Sequence, residues 1–180
     1  MVLSKNMQKL VAGSSTIRKL FEEGIELAKE VGAENVYDFS LGNPAAPVPE
    51  EVKKSIYDIL ENRNANFVHC YMPNAGYPEV REKVAANLNK KYNSSFTKDD
   101  IIMTVGAAGG INCVLRSLLE PEDEVLCFAP FFGEYNSYVM NFGGNLKVVP
   151  ADYETFQLNV EEADKYITER TKAVIITQED

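Results

Sequence analysis

Residues 101–111 have the sequence IIMTVGAAGGI and carry the clearest structural signal in the chain. An apolar run at 101–105 is followed by the small residues 106–110, and a segment with helical apolar spacing extends from Ile111 to Leu119. This order predicts a strand, a glycine-rich turn and a helix. At such a turn, backbone N–H groups can approach an anion, and the positive end of the helix dipole favours it.

The same alternation continues along the chain on both sides of this segment. Further strands are predicted at 124–128, 146–149 and 172–177, with helices at 134–141 and 160–168 between them. The sequence before residue 100 predicts three helices: one at 14–31, one that begins at Pro49 or Glu50, and one at 77–92. It also predicts a short extended piece at 36–41 and a long loop at 62–76. Strands that alternate with helices predict an α/β fold with a mostly parallel sheet flanked by helices and an N-terminal helical segment. The continuous apolar run 173–176 predicts a strand buried on both faces.

Composition and charge exclude several classes of partner. The 180 residues contain 18 Lys and Arg against 27 Asp and Glu, a net charge of −9. This balance argues against nucleic acid or an anionic membrane as the main partner, because both need a basic face. Three cysteines without Cys-x-x-Cys spacing and a single histidine predict reduced thiols and no metal site. The polar start of the chain and the lack of a long apolar run favour a cytoplasmic protein.

Two interpretations of the glycine-rich turn remain open from the residues alone. In the first, the N–H groups of Ala107, Ala108 and Gly109 form a cradle for a phosphate group. In the second, the small side chains only allow the strand and the helix to pack closely. A nucleotide-binding α/β domain is a further alternative, but the carboxylate of a dinucleotide site is absent from 128–132 and no Gly-Lys-Ser/Thr is present.

The aromatic residues after the next strand indicate the kind of ligand. Phe131 and Phe132 follow the predicted strand 124–128, and an aromatic ring at that place suits a flat ligand that stacks on it. A phosphate cradle beside an aromatic ring indicates a phosphorylated planar cofactor, and pyridoxal 5'-phosphate fits that description.

Four segments, in order and spacing, resemble the class I/II, fold-type I aminotransferases that depend on pyridoxal phosphate. They are SLGNP at 40–44, YMPNAGYPEVR at 71–81, VGAAGGI at 105–111 and APFFGEY at 129–135. The resemblance covers nearly the whole chain and is to the N-terminal portion of such an enzyme. It implies an N-terminal helix and substrate-loop segment at 1–48 and the first part of the cofactor-binding large domain at 49–180.

The resemblance also implies roles for individual residues. Ala107, Ala108 and Gly109 are similar to the phosphate-binding turn, and Phe132 is similar to the ring that stacks on the cofactor, with Phe131 in the core. Tyr71 is similar to the tyrosine that reaches the cofactor phosphate of the partner subunit in a homodimer.

The substrate side of the site follows from the same resemblance. Gly42 is similar to the glycine beside the substrate carboxylate, and Tyr135 is expected to line the pocket. His69 and Cys70 receive no catalytic role, and Arg81 is expected to form a surface or interface salt bridge.

The family's chemistry moves an amino group between an amino acid and a 2-oxo acid. It needs a Schiff-base lysine, which none of the lysines here resembles, and the chain ends at Asp180 directly after the fourth predicted strand. We therefore expect no catalytic residue in the chain, no turnover by it alone, and an apolar sheet edge that invites association. The alternative is a non-catalytic, truncated α/β domain or interaction module.

Overall fold

The computed structural model describes residues 3–12, 16–39, 42, 46–155 and 157–177. The chain divides into two compact units, one formed by Leu20–Thr104 and the other by Met1–Lys19 with Val105–Asp180. The predicted division into residues 1–48 and 49–180 comes from the resemblance and stays a prediction.

The described residues contain helices α1 to α8 and strands β1 to β3. The helices are, in order, Lys5–Ala12, Thr16–Val31, Glu50–Asn62, Ala65–Val68, Pro78–Tyr92, Gly106–Leu118, Glu134–Met140 and Val160–Ala163. The strands are Glu124–Phe128, Asn145–Val149 and Thr171–Ile175, and short 3₁₀ turns lie at Ala33–Asn35 and Lys98–Asp100. The predicted α/β fold, with an N-terminal helical segment, is confirmed.

The three strands form a parallel sheet in the order β2-β1-β3. Every residue of the central strand β1 is buried. Val125 packs on one face with Leu115 of α6 and Val139 of α7, while Leu126 packs on the other face with Val149 and others. A strand with apolar residues on both faces must be packed against other elements on each side. Helices α6 and α7 pack on the face of Val125, and α8 packs on the face of Leu126.

Two of the strand predictions are wrong. Residues 101–105 are not a strand, because no described strand pairs with them, and Met103 N–H instead donates to the carbonyl of Ala75 at 3.0 Å. β3 is not buried on both faces: Ala173 and Ile175 pack on the core, but Val174 is 48% exposed. Its outer face has no cover among the described residues, so burial alternates along the strand.

The helix boundaries also differ from the predictions in places. The predicted loop 62–76 contains the short helix α4, whose start is capped by the side chain of Asn64. Four residues are too few to show a helical period in the sequence. α1 is likewise unpredicted, and α8 ends before the predicted end at residue 168. Of the predicted extended piece 36–41, residues 36–39 form no strand and residues 40–41 lie outside the described residues. α2, α3 and α5 confirm the other predicted helices.

The start of β1 is held by a buried carboxylate. Glu124 accepts a hydrogen bond from the hydroxyl of Thr168 at 2.7 Å and pairs with Lys147 of β2 at 3.2 Å. Asp123 is buried beside it and accepts from the N–H of Glu120. Residues 120–122 of this acidic run form an exposed turn, as their charge suggests, whereas Asp123 and Glu124 are buried, and Glu124 links β1 to Lys147 of β2 and to Thr168 before β3.

In the unit Leu20–Thr104, α5 is fixed to the segment that follows it. The half-buried guanidinium of Arg81 donates to the carbonyl of Lys98 at 2.6 Å, with the carboxylate of Asp99 at 3.9 Å. Arg81 therefore forms hydrogen bonds inside its own unit, its ion pair with the exposed Asp99 agrees with the expected surface salt bridge, and an interface role stays a prediction.

Gly76 allows the chain to enter α5, and we predict that Gly76→Ala destabilises this unit. Its φ is +95°, and an added Cβ would lie 2.6 Å from Cγ of Met103. The left-handed backbone and this contact together should lower the free energy of unfolding by about 1–3 kcal/mol in urea denaturation. Gly24→Ala is the control, because Gly24 lies inside α2 with its nearest neighbour at 4.0 Å, and this change should not destabilise. Equal losses in the two variants would contradict this account.

Acid should weaken the sheet through Glu124. The Thr168 hydrogen bond, and then Lys147, lower the pKa of this carboxyl. A lowered folded-state pKa means that the carboxylate stabilises the fold above the ordinary glutamate range, and that this contribution disappears as the pH falls through the lowered value. Glu124→Gln should therefore lower the thermal unfolding temperature at pH 7. Below about pH 4.3, the unfolding temperature of this variant should fall less steeply with decreasing pH than that of the wild type. The exposed Glu82→Gln serves as control, and a Glu124→Gln curve parallel to the wild type would contradict the prediction.

Candidate cofactor-binding site

The glycine-rich segment begins α6 rather than forming a separate turn. α6 starts at Gly106, and no side chain of the preceding Val105 caps it. The N–H groups in the first turn of a helix have no acceptor within the helix. Ala107 and Ala108 occupy this turn and are exposed, whereas Gly109 is half-buried and its N–H is the first that can reach a helical carbonyl. Two exposed donors at the positive end of a 13-residue helix therefore suit an anion.

Gly106 shows which property of glycine this turn needs. Its φ is +68°, in the left-handed region, and no atom of the described residues lies within 4 Å of an added Cβ. Close packing therefore does not require glycine here, whereas the backbone conformation does. The space in front of the helix start is open, which supports the phosphate-cradle interpretation over the packing interpretation at this position.

Helix α6 directs these N–H groups to one edge of the sheet. Residues 119–123 connect its end to the start of β1, and Leu115 and Leu119 pack on Val125. α6 therefore runs back along the sheet, antiparallel to β1. Its first residues lie towards the carboxyl edge, defined here as the side where β1, β2 and β3 end at Phe128, Val149 and Ile175. Ligands of open parallel sheets bind at this edge.

The loop after β1 presents an aromatic ring at the carboxyl edge. The ring of Phe132 is 48% exposed, and Phe131 is half-buried. The carbonyl of Phe132 accepts a hydrogen bond from the N–H of Tyr135 at 3.0 Å, and the two rings form a T-shaped pair with centroids 5.7 Å apart and an interplanar angle of 80°. These exposures are those expected if Phe132 stacks on a ligand and Phe131 belongs to the core, an assignment that stays a prediction.

Sequence reasoning missed one pair of hydroxyl groups at this edge. The phenol of Tyr135, at the start of α7, lies 3.0 Å from the hydroxyl of Thr177, which follows β3. The available signal was a hydroxyl residue directly after a strand. Its partner could not be found, because the two residues are far apart in the chain.

The other two predicted site residues belong to the unit Leu20–Thr104. Tyr71 follows α4 and is fully exposed, and Gly42 is exposed with no atom of the part of the chain that the structure describes within 4 Å of an added Cβ. Residues 40–41 and 43–45 around Gly42 lie outside the described residues. The roles of Tyr71 and Gly42 in one site with α6 stay predictions.

The described residues contain neither a metal-ligand cluster nor a membrane-spanning helix. No group of three or more His, Cys, Asp and Glu side chains there could hold a metal ion. No helix in the same residues has the length and apolar character needed to cross a membrane.

The sequence of this chain matches a family model over the same elements that form the site. The model, described as aminotransferase class I and II, matches residues 33–178. The chain belongs to this family. The resemblance inferred from the four sequence segments is therefore confirmed, and it includes both α6 and the loop after β1.

Curated relatives and solved structures agree with this membership. The chain is 35% identical to an aspartate aminotransferase of Pyrococcus abyssi over 90% of this chain and 40% of that protein. It is also 35% identical to aromatic-amino-acid aminotransferase 2 of Thermococcus litoralis over 98% of this chain and 43% of that protein. A crystal structure of an aminotransferase from Eubacterium rectale superposes with a TM-score of 0.89 at 37% identity, over 97% of this chain and 44% of that one. The chain thus spans less than half the length of the relatives it matches.

Loss of one N–H donor should weaken anion binding at the start of α6. Ala107→Pro removes that donor, and proline is tolerated in the first turn of a helix, where Ala107 lies. Inorganic phosphate should bind roughly tenfold more weakly to this variant, since a hydrogen bond to a charged group is lost. The measurement is isothermal titration calorimetry, with circular dichroism to check that the helices persist. Ala107→Ser keeps the N–H and should retain affinity, and unchanged binding by Ala107→Pro would overturn the assignment.

Proposed function

We propose that this chain forms part of the cofactor-binding domain of an aminotransferase that uses pyridoxal 5'-phosphate. The observation that carries the proposal is the combination at the carboxyl edge of open N–H groups at the start of α6 and the exposed ring of Phe132. The phosphate of the cofactor is an anion and its pyridine ring is flat, so each feature suits one end of the same molecule. The donors and the ring therefore fit the cofactor that family membership implies.

The phosphate would be held by the backbone. Ala107 and Ala108 would each donate an N–H, with Gly109 one residue deeper, and the dipole of α6 would add to the attraction. Their side chains are methyl groups or hydrogen, so the hydrogen bonds at this turn come from the main chain alone. Backbone donors fixed by a helix need no reorganisation when the anion arrives.

The ring of the cofactor would lie against Phe132. A half-exposed phenylalanine offers a face for stacking while its other side packs on Tyr135. When bound, pyridoxal phosphate supplies an aldehyde that can take up an amino group and a ring that withdraws electrons from it. The residues of this chain hold and orient the cofactor at its two ends, and Gly42 and Tyr135 are proposed to line the substrate side for an amino acid and a 2-oxo acid.

Two further parts of the proposal concern assembly and location. Tyr71 is fully exposed and is proposed to contact the cofactor phosphate of a second copy in a homodimer. The cysteines Cys70, Cys113 and Cys127 are free, which supports a reducing compartment such as the cytoplasm.

None of the lysines in residues 1–180 resembles the Schiff-base lysine, so we propose that these residues alone bind the cofactor without turnover.

Binding of the cofactor by the 180-residue chain tests the proposal. Pyridoxal 5'-phosphate and its amine form should bind with similar affinity, because both share the phosphate and the ring, and an aminotransferase must hold both. Phe132→Leu should weaken binding of either by about two- to tenfold through loss of stacking. The control is Phe96→Leu, since Phe96 is 47% exposed, close to the 48% of Phe132, but lies in the other unit.

Three results would contradict parts of this proposal. Failure of both cofactor forms to bind, with binding of ATP or NAD instead, would favour the nucleotide-binding alternative. Equal effects of Phe132→Leu and Phe96→Leu would remove Phe132 from the site. Transfer of an amino group to 2-oxoglutarate by the 180-residue chain would overturn the predicted lack of turnover.

A further inference from the structure

The hydroxyl groups of Tyr135 and Thr177 link two loops at the carboxyl edge. Their oxygens are 3.0 Å apart, within hydrogen-bond distance. Tyr135 belongs to the first turn of α7, which follows the central strand β1, and Thr177 comes two residues after the end of β3. β1 and β3 are neighbours in the sheet, with Cys127 opposite Ile175. Thr177 therefore leaves the sheet close to the level at which the loop 129–133 begins.

Tyr135 connects this hydrogen bond to the ring of Phe132. The two rings form a T-shaped pair with an interplanar angle of 80°, a favourable arrangement for aromatic rings. The N–H of Tyr135 also donates to the carbonyl of Phe132 at 3.0 Å. On its other side the ring of Tyr135 lies 6.3 Å from that of Tyr138. Tyr135 is thus held at its hydroxyl by Thr177, at its ring by two aromatic neighbours and at its backbone by Phe132.

Phe132 needs such support. It is 48% exposed and lies in the segment between β1 and α7, outside both elements. An exposed side chain in a loop loses rotamer freedom when a ligand fixes it. A neighbour that already restricts the ring lowers this loss and so strengthens binding.

We propose that Thr177 is a positioning residue that orients the ring of Phe132 through Tyr135. Tyr135 then supports the stacking ring while its hydroxyl is engaged by Thr177. The consequence for the ligand rests on the proposed function, whereas the coupling of Thr177 to Phe132 does not.

The coupling is tested first without ligand. Thr177→Val and Tyr135→Phe each remove the hydrogen bond, from opposite sides and with little change of volume. In the chain labelled with ¹³C on phenylalanine rings, both variants should shift the NMR resonances of Phe132 away from their wild-type positions. Thr177→Ser keeps the hydroxyl and should leave these resonances at their wild-type positions. The control is Thr171→Val, which removes a hydroxyl that accepts from the N–H of Thr168 at the other end of β3. It should leave Phe132 unchanged.

Ligand binding separates positioning from mere stability. Loss of the Tyr135–Thr177 hydrogen bond should raise the Kd for pyridoxal 5'-phosphate roughly fivefold while that for inorganic phosphate stays constant. The double variant should equal either single variant, because the two hydroxyls act as one unit. Thr177→Ser should bind like the wild type, and Thr171→Val should show no difference between the two ligands.

The outcomes are distinguishable from failure of the proposed function. If the wild type binds no pyridoxal phosphate, the proposed function is overturned, and the NMR comparison still decides the coupling. Unchanged Phe132 resonances in both Thr177→Val and Tyr135→Phe would overturn the proposal. So would equal loss of affinity for pyridoxal phosphate and inorganic phosphate, since that pattern belongs to a structural role alone.

Discussion

The parallel pairing of β1 with both β2 and β3 is the constraint on which the candidate site depends. Because the three strands run in one direction, the loops that follow them emerge at the same edge. Burial of β1 on both faces fixes that arrangement: Val125 and Leu126 point to opposite sides, and each side is covered by helices. The short connection 119–123 makes α6 run antiparallel to β1 where it provides one of these covers. The same packing that buries Leu115 and Leu119 therefore brings the open N–H groups of α6 to the carboxyl edge.

The two edges of the sheet carry different kinds of polar group. At the start of the strands, Glu124 and Asp123 are buried and fully engaged with the hydroxyl, ammonium and amide groups around them. At the other end, the first N–H groups of α6 and the ring of Phe132 are exposed. Buried polar groups need the partners that they have here, whereas exposed donors and rings are available to a ligand. Tyr135 and Thr177 lie between these cases, since they are paired with each other at the edge where the ligand is proposed to bind.

Several elements were predictable from residue patterns and others were not. The apolar runs of β1 and β2 and the amphipathic α2, α3 and α5 follow from local periodicity, which short-range sequence contains. The run at 101–105 has the same apolar character as β1 but no described strand pairs with it, so it forms none. The glycines at the start of α6 suggested a turn, because glycine is a poor helix former. Packing of Ile111, Leu115 and Leu119 extends the helix back to Gly106.

The sequence by itself determined the α/β class, the family, and most of the helices and strands, and it supplied the prediction of a phosphate-binding turn beside an aromatic ring. These properties depend on local patterns and on motifs that are continuous in the chain. Only the tertiary structure decided that β1 is central, that Arg81 clamps its own unit and that Tyr135 meets Thr177. Each of these is a contact between residues far apart in sequence. Such a contact forms only when the sheet register and the helix packing bring both partners to the same place, and no local pattern records it.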